Sequence, residues 1–477
     1  MHRLAGSDTG FLVIEGPSQT STCVDVVLLE PGPEGPLDPA ALRERVAARL
    51  PAVPALRRRL REVPLRVGHG VWVDDPRFDL DHHLAHVVLP EPGGERELRA
   101  HLADVLPRLL DRGRPMWRLT LVDGLAGGRQ ALVLEFHHTL ADGAGLVETI
   151  RRLLDDGADG TPPAPGSEPA AVPARDPGAL PLLLLTVGRM LRAWLGAPPL
   201  LVRTVRRFRA VERRRATAEV RVPGSLRDAP RCVLNRSADA ARDFARARLE
   251  MADVRAVRTA AGTTVSDVVL AVVTGALRSY LEDREELPVD PLVANVPVGN
   301  DPPGAGPRTT GNYFSNYFAL LPTDEADPRA RLARVAAATA EAKHQLELQG
   351  KETVPAWIDL VPPLVAGRVA ARMAARQRAE AVDPDCNVLI SNMRVAGRGW
   401  TVLGRPVGDF FMSGPVADGA GLNVTVTGYR DHLTLALVVN PAAVDRPDEL
   451  AARLEEAMAE LVEAHAHPEP AGAGVVA

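Results

Sequence analysis

The sequence predicts a mixed α/β (α+β) protein of two domains. Three observations carry that prediction. The chain has 477 residues, more than one ordinary core holds. Strand-like alternation and helix-period runs are mixed in both halves. A Pro/Gly/Ala-rich stretch without apolar periodicity, DGADGTPPAPGSEPAAVPARDPG at 156–178, parts the two halves. The reading gives an N-terminal domain at 1–155, a linker and basic helical crossover at 156–226, a C-terminal domain at 227–467 and a disordered tail at 468–477.

Taken in order, residues 8–30 form a short lead and then an alternating strand, TCVDVVLLE. Pro36 to Leu50 reads as a helix. FDLDHHLAHVVLP (78–90) reads as extended, with one of His82 and His83 facing inward and the other outward. GGERELRAHLADVLPRLL (93–110) is an amphipathic helix broken near Pro107. WRLTLVDGLAGGRQALVLEFHH (117–138) is a hairpin about a Gly-rich turn. GAGLVETIRRLLDD (143–156) is a helix. In ALPLLLLTVGRMLRAWLG (179–196), helical spacing puts Leu183, Val187, Met190, Leu191 and Trp194 on one face, with Arg189 and Arg192 opposite. VRTVRRFRAVERRR (202–215) follows. Two readings of this crossover stand: contact with an anionic membrane surface, or a core helix between domains with its arginines in solvent.

In the second domain, MADVRAVRTAAGTTVSDVVLAVVTGALRSYL (251–281) holds two helices, with Ser266 and Asp267 at the start of the second. DPLVANVPV (290–298), NYFSNYFALLP (312–322), CNVLISNMRV (386–395) and GLNVTVTGYRDHLTLALVV (421–439) read as strands. RPDELAARLEEAMAELVEAHA (446–466) is a closing amphipathic helix.

The composition is 46% hydrophobic and 25% charged, that of a soluble globular protein. A net charge of −5 gives no case for nucleic acid as a partner. Lys343 and Lys351 are the two lysines among 56 basic residues, as coding in a GC-rich genome would produce. Cys23, Cys232 and Cys386 fit no metal spacing, so no metal is expected, and a reducing cytoplasm is the simple reading. The start of the chain has no apolar run of signal-peptide length. No stretch reaches the roughly 20 apolar residues of a membrane span.

EFHHTLADGAG (135–145) is the segment that carries chemistry. ALVLEF delivers His137 and His138 to a strand end, and Asp142 stands where a helix N-cap belongs. Only one of two consecutive strand residues can face a given cleft. A neutral imidazole there can take a proton from an alcohol near neutral pH. Gly143 and Gly145 leave the backbone bare for a close approach. A buried histidine and a capping aspartate without catalysis fit the spacing equally. The second ADGAGL, at 417–422, precedes a strand and reads as a turn.

HHTLADG fits the HHxxxDG pattern of coenzyme A-dependent acyltransferases. The chain resembles the bacterial wax ester synthase/diacylglycerol acyltransferase family in further blocks. RLAGSDTGFLVIE is similar to that family's start, and LRRRLREVPLRVGHGVWVDDPRFDLDHHL to its next block. DRGRPMWRLTLVDGL carries its Pro-Leu-Trp motif as Pro115, Met116 and Trp117. TTVSDVVLAVVTGALRSYL carries its Asn-Asp motif as Ser266 and Asp267. GNYFSNYFALLPTDEADPRARL and DGAGLNVTVTGYRDHLTLAL resemble later blocks.

The resemblance implies two chloramphenicol-acetyltransferase-like domains, mixed sheets flanked by helices, and an active-site tunnel at their interface. It implies His138 as general base, His137 in support, Asp142 holding the loop by pairing with an arginine, and Gly143 keeping the channel open. Pro115, Trp117, Ser266 and Asp267 become substrate-binding candidates. Asn312, Ser315, Ser391 and Asn392 are candidate oxyanion donors, or else residues that hold turns. The implied reaction moves a long-chain acyl group from acyl-CoA, a co-substrate rather than a cofactor, to the free hydroxyl of diacylglycerol. Wax ester formation on a long-chain alcohol, carrier-protein-dependent transfer to a polyketide or glycolipid alcohol, and an inactive lipid-surface protein are the alternatives. Lipid substrates imply a peripheral place at the inner face of the cell membrane or on lipid droplets. Departures from the family pattern are Met116 for Leu, Ser266 for Asn, and Ser391 to Ala396 where the family has a Ser-Asn-Val-Pro-Gly-Pro turn. They leave the choice of acceptor open.

Overall fold

A computed structural model of the chain describes residues 2–16, 18–33, 35–157, 176–224, 228–236, 239–302, 304–395 and 399–466. Most of the expected linker and all of the expected tail lie outside the described residues. The first half runs β1 (His2–Arg3), α1 (Gly6–Ile14), β2 (Thr22–Leu29), α2 (Pro39–Arg49), β3 (Arg58–Arg61), β4 (Val71–Asp74), β5 (Leu84–Val88), α3 (Glu95–Val105), β6 (Trp117–Leu125), β7 (Arg129–His137) and α4 (Gly143–Leu154). Then come α5 (Ala179–Leu195) and α6 (Ala197–Thr217). The second half runs β8 (Asp243–Glu250), α7 (Met251–Ala261), α8 (Val265–Glu282), β9 (Leu292–Gly299), β10 (Phe314–Leu321), α9 (Pro328–Gln349), α10 (Thr353–Ile358), α11 (Pro363–Arg378), β11 (Val388–Arg394), β12 (Thr401–Val402), β13 (Arg405–Ser413), β14 (Leu422–Tyr429), β15 (His432–Val439) and α12 (Pro447–Ala466).

Two six-stranded mixed sheets organise the molecule, in the orders β12-β13-β2-β7-β6-β5 and β10-β9-β11-β14-β15-β8. The sequence explains the central strands. TCVDVVLL buries both faces: Val24, Val26 and Leu28 go to one apolar cluster and Cys23, Val27 and Leu29 to another, as a period of two requires. β14 and β15 are buried throughout: β14 alternates Leu422, Val424 and Val426 with Asn423, Thr425 and Thr427, whereas β15 is apolar apart from His432 and Thr434. α8 is buried along most of its length, and Thr264 with Asp267 closes its first turn in a reciprocal cap.

The halves are not spatially closed units. Residues 401–413, which the sequence reading assigned to the C-terminal domain, cross over and extend the first sheet, β13 pairing antiparallel with β2. Other expectations change locally. FDLDHHLAHVVLP is not one extended segment. Asp79 accepts from the Asp81 amide and caps a short 3-10 turn, Leu80–His82, before β5. His82 is exposed and His83 buried, as one-in, one-out expected. Residues 391–394, where the resembled family has a turn, belong to β11 as the strand reading of 386–395 expects, pairing in parallel with β14 through Arg394. The helices α9, α10 and α11 occupy a span for which the sequence reading named no element.

α5 is not a core helix. Leu182 is its fully buried side chain, packed on Val63, Val71 and Val73. Of the face expected from spacing, Leu183 and Met190 are half-buried, whereas Val187, Leu191 and Trp194 are exposed. Leu180, Leu184, Leu185 and Leu195 are exposed as well. Among the described residues no single helix is long and apolar enough to cross a membrane.

Candidate active site

β7 ends at His137, and consecutive residues there face opposite ways. His137 is fully buried. Its Nδ1 accepts from the Thr139 amide at 3.1 Å, so its proton sits on Nε2. That nitrogen lies 3.3 Å from a Glu15 carboxylate oxygen, poorly aligned for a hydrogen bond. Burial pushes the Glu15 carboxyl up, but His137 and Arg112 outweigh it and bring it down to about 2.

His138 faces a cavity of about 1050 Å³ between the two sheets' halves of the molecule, lined from both. Phe11 of α1 stacks on its ring at 3.9 Å between centroids and 12° between planes, and Phe314 of β10 tilts against it. Its Nδ1 meets the Asn312 side-chain oxygen at 3.0 Å. Burial holds the His138 pKa below the ordinary histidine value, more than Asp142 and Asn312 raise it. The imidazole is therefore neutral at physiological pH and able to accept a proton.

Asp142 does not reach for a substrate. One oxygen accepts from the Gly145 amide and caps α4. The other takes Arg308 Nη2 at 2.5 Å and the Tyr313 amide at 2.9 Å. The expected arginine partner is thus Arg308, and the loop 139–142 is tied to the segment 308–313 of the other half. The backbone completes the tie: the Asp142 amide donates to the Gly311 carbonyl, and the Gly311 amide to that of Leu140. Gly143 lines the cavity against Met393, whose Cε would lie 3.0 Å from an added Cβ.

The remaining candidates divide. Ser315, Ser391 and Asn392 line the cavity. Ser315 donates to the Lys351 carbonyl, Ser391 to Thr425, and Asn392 loosely to Ser266 at 3.4 Å. Asn312 is no oxyanion donor. Its side-chain nitrogen is committed to Asp8 and to the His138 carbonyl, each at 2.9 Å. Pro115, Trp117, Ser266 and Asp267 are not among the described residues lining the cavity. Trp117 is core: its Nε1 donates to the Leu56 carbonyl and its ring stacks on His83. Asp267 caps α8 and accepts from Thr339. Asp8, Phe11, Arg308 and Phe314 were not singled out from sequence, although RLAGSDTGFLVIE held the first two in plain view.

The wax ester synthase/diacylglycerol acyltransferase catalytic domain matches residues 4–269, and the C-terminal domain of the same family matches residues 310–462. The chain belongs to the wax ester synthase/diacylglycerol acyltransferase family. It is, with that membership, an acyltransferase with the family's two-part α/β fold. A Mycobacterium tuberculosis protein provisionally named a diacylglycerol O-acyltransferase is 35% identical over 474 residues, covering 97% of this chain and 98% of the relative. The wax ester synthase/diacylglycerol acyltransferase from Marinobacter aquaeolei VT8 superposes with a TM-score of 0.70 at 27% identity, covering 98% of this chain and 100% of that one. The first condensation domain of the calcium-dependent antibiotic synthetase shares the fold, with a TM-score of 0.58 at 18% identity over 98% of this chain and 97% of that one.

Proposed function

We propose that the chain transfers a long-chain acyl group from acyl-CoA to the free hydroxyl of diacylglycerol, with His138 as general base. The observation that carries this reading is a neutral imidazole on the wall of a large cavity, its Nδ1 already occupied and its Nε2 without a protein partner among the described contacts. In the proposed step, Nε2 takes the hydroxyl proton as the alcohol oxygen bonds to the thioester carbonyl carbon. The tetrahedral intermediate then breaks its C–S bond, and the imidazolium returns the proton to the leaving thiolate. No acyl-enzyme forms. General-base catalysis supplies about 10²–10⁴-fold. Holding both reactants in one cavity removes the cost of their encounter.

Cavity chemistry supports a lipid substrate. Phe208 and Val211 of α6, Leu346 of α9, and Val354 and Ile358 of α10 form an apolar part of the wall. The exposed apolar side chains of α5 continue on α6 as Leu201, Val202 and Val205, which supports docking at a membrane or droplet surface.

The test is purified protein given labelled palmitoyl-CoA with diacylglycerol, with hexadecanol, or with no acceptor, for wild type and His138→Ala. Triacylglycerol from wild type alone is the expected result. Equal turnover by both proteins removes the proposed base. Product with hexadecanol only assigns wax ester synthesis instead.

A further inference from the structure

We propose that Asn312, clamped by Asp8, is a positioning residue that selects the His138 tautomer with its proton on Nδ1 and its lone pair on Nε2. The proposal rests on His138 being the base, as argued above.

The argument is one of donors and acceptors. Asp8 in α1 is buried. One of its oxygens accepts from the Asn312 backbone amide at 3.0 Å and from the Asn312 side-chain nitrogen at 2.9 Å, while the other accepts from the Ala5 amide at 2.9 Å. The second hydrogen of the Asn312 side-chain nitrogen goes to the His138 carbonyl at 2.9 Å. A carbonyl can only accept, and so can an ionised carboxylate, so the amide cannot be turned around without facing acceptor to acceptor twice. Its oxygen must then be the atom that meets His138 Nδ1 at 3.0 Å. An amide oxygen cannot donate, so Nδ1 carries the hydrogen. In a neutral ring that leaves Nε2 basic.

The neighbouring histidine provides an internal contrast. The Thr139 amide donates to His137 Nδ1 and forces the opposite tautomer. Two adjacent histidines on one strand end thus differ in tautomer because one faces a backbone donor and the other a side-chain acceptor. Further contacts keep the clamp in place. Thr139 Oγ1 donates to the Asp8 carbonyl at 2.8 Å, and Ser7 Oγ to the Asn312 carbonyl at 3.2 Å. Stacking on Phe11 fixes the ring plane. The charged and titratable groups around the ring are Asp8 from α1, Asp142 with Arg308 bound to it, and His137. When Nε2 gains its proton, the imidazolium keeps its Nδ1–H bond to Asn312, so no donor has to move during the transfer.

The test compares wild type with Asn312→Leu and with the exchanged pair Asp8→Asn/Asn312→Asp. Two readouts are taken: the pH profile of kcat/KM, and the pH midpoint of ethoxycarbonylation of His138 by diethyl pyrocarbonate, read by peptide mass spectrometry. In Asn312→Leu, kcat falls at least about tenfold, KM for acyl-CoA stays within about twofold, and the His138 midpoint moves to lower pH because an acceptor that favoured the imidazolium is gone. In the exchanged pair a carboxylate faces Nδ1, and the midpoint moves up by roughly one to three pH units. A merely structural asparagine moves neither midpoint. Folded Asn312→Leu protein, by thermal melt, with wild-type kcat and an unmoved midpoint overturns the proposal while leaving His138 as the base. If His138→Ala is fully active, the catalytic reading fails on its own, and the modification midpoints still decide the tautomer.

Discussion

At the scale of single residues, the site depends on which nitrogen of which histidine is left without a proton. His138→Ala should lower kcat by about 10²–10⁴-fold with little change in acyl-CoA KM, measured by steady-state transfer to diacylglycerol. The base works when deprotonated, and burial lowers its pKa. The acid limb of kcat/KM should therefore lie below the usual histidine value of about 6.5, with a plateau above it; a limb at or above that value would contradict the assignment. His138 and Asp142 were legible in the sequence because a strand end and a helix cap are local patterns. How their partners pair with them was not, although Asn312 stood among the candidates and an arginine was expected beside Asp142. Asp8, Arg308 and Asn312 are brought in from sequence positions more than a hundred residues away, and hydrogen bonds across such separations leave no periodicity to read. Motif residues also misled: Trp117 looked like a substrate contact, yet its indole is spent on Leu56 and His83.

Elements decide how the site is framed and where the protein meets its surroundings. Two glycines open α4 and they are not equivalent. A Cβ on Gly143 would meet the flexible end of Met393 at 3.0 Å, whereas one on Gly145 would meet Ala141 Cβ at 2.7 Å, beside the loop that carries Asp142. Gly145→Ala should lower the melting temperature and transfer rate more than Gly143→Ala, and the reverse order would refute this packing argument. On α5, replacing Leu191, Trp194 and Leu195 by Ser should reduce co-sedimentation with anionic liposomes while sparing the melting temperature, since all three are exposed. Removing the arginines of α6 is a less clean test. Arg207 pairs with Glu352, Arg214 with Glu341, and Arg215 binds Gln345, so their loss also loosens α6 from its neighbours. The amphipathic character of this crossover was visible in the sequence. Which side it buries was not, because the docking surface, Val63 and Val71 among its residues, is supplied by a separate element. The strand through 391–394 was legible in CNVLISNMRV, but its parallel pairing with β14 was not, because the partner lies some thirty residues further on.

At the scale of the whole molecule, the two halves are bound through β13. Asp409 on that strand takes His432 Nε2 of β15 at 2.9 Å and Arg246 of β8 at 2.9 Å, and Arg246 reaches on to Glu95 of α3 at 2.7 Å. Asp409 raises the His432 pKa. A histidine with a raised folded pKa contributes stability that is complete below its unfolded value and fades as pH rises through the folded one. Asp409→Asn should cost about 3 kcal/mol or more at pH 6, and urea unfolding should show the deficit shrinking towards pH 9. A fragment ending at residue 155 should fail to fold, because β2 then lacks the partner that covers its edge; a well-dispersed NMR spectrum from that fragment would argue otherwise. A mixed α/β class was legible from the alternation of strand and helix patterns, but the crossing strand was not, since nothing within VGDFFMS marks which sheet it joins. The crossing also bears on biosynthesis. A ribosome adds about 5–20 residues per second, so the first sheet waits on the order of tens of seconds for residue 413 to emerge. Through that interval the nascent N-terminal half has an unpaired edge in need of chaperone cover.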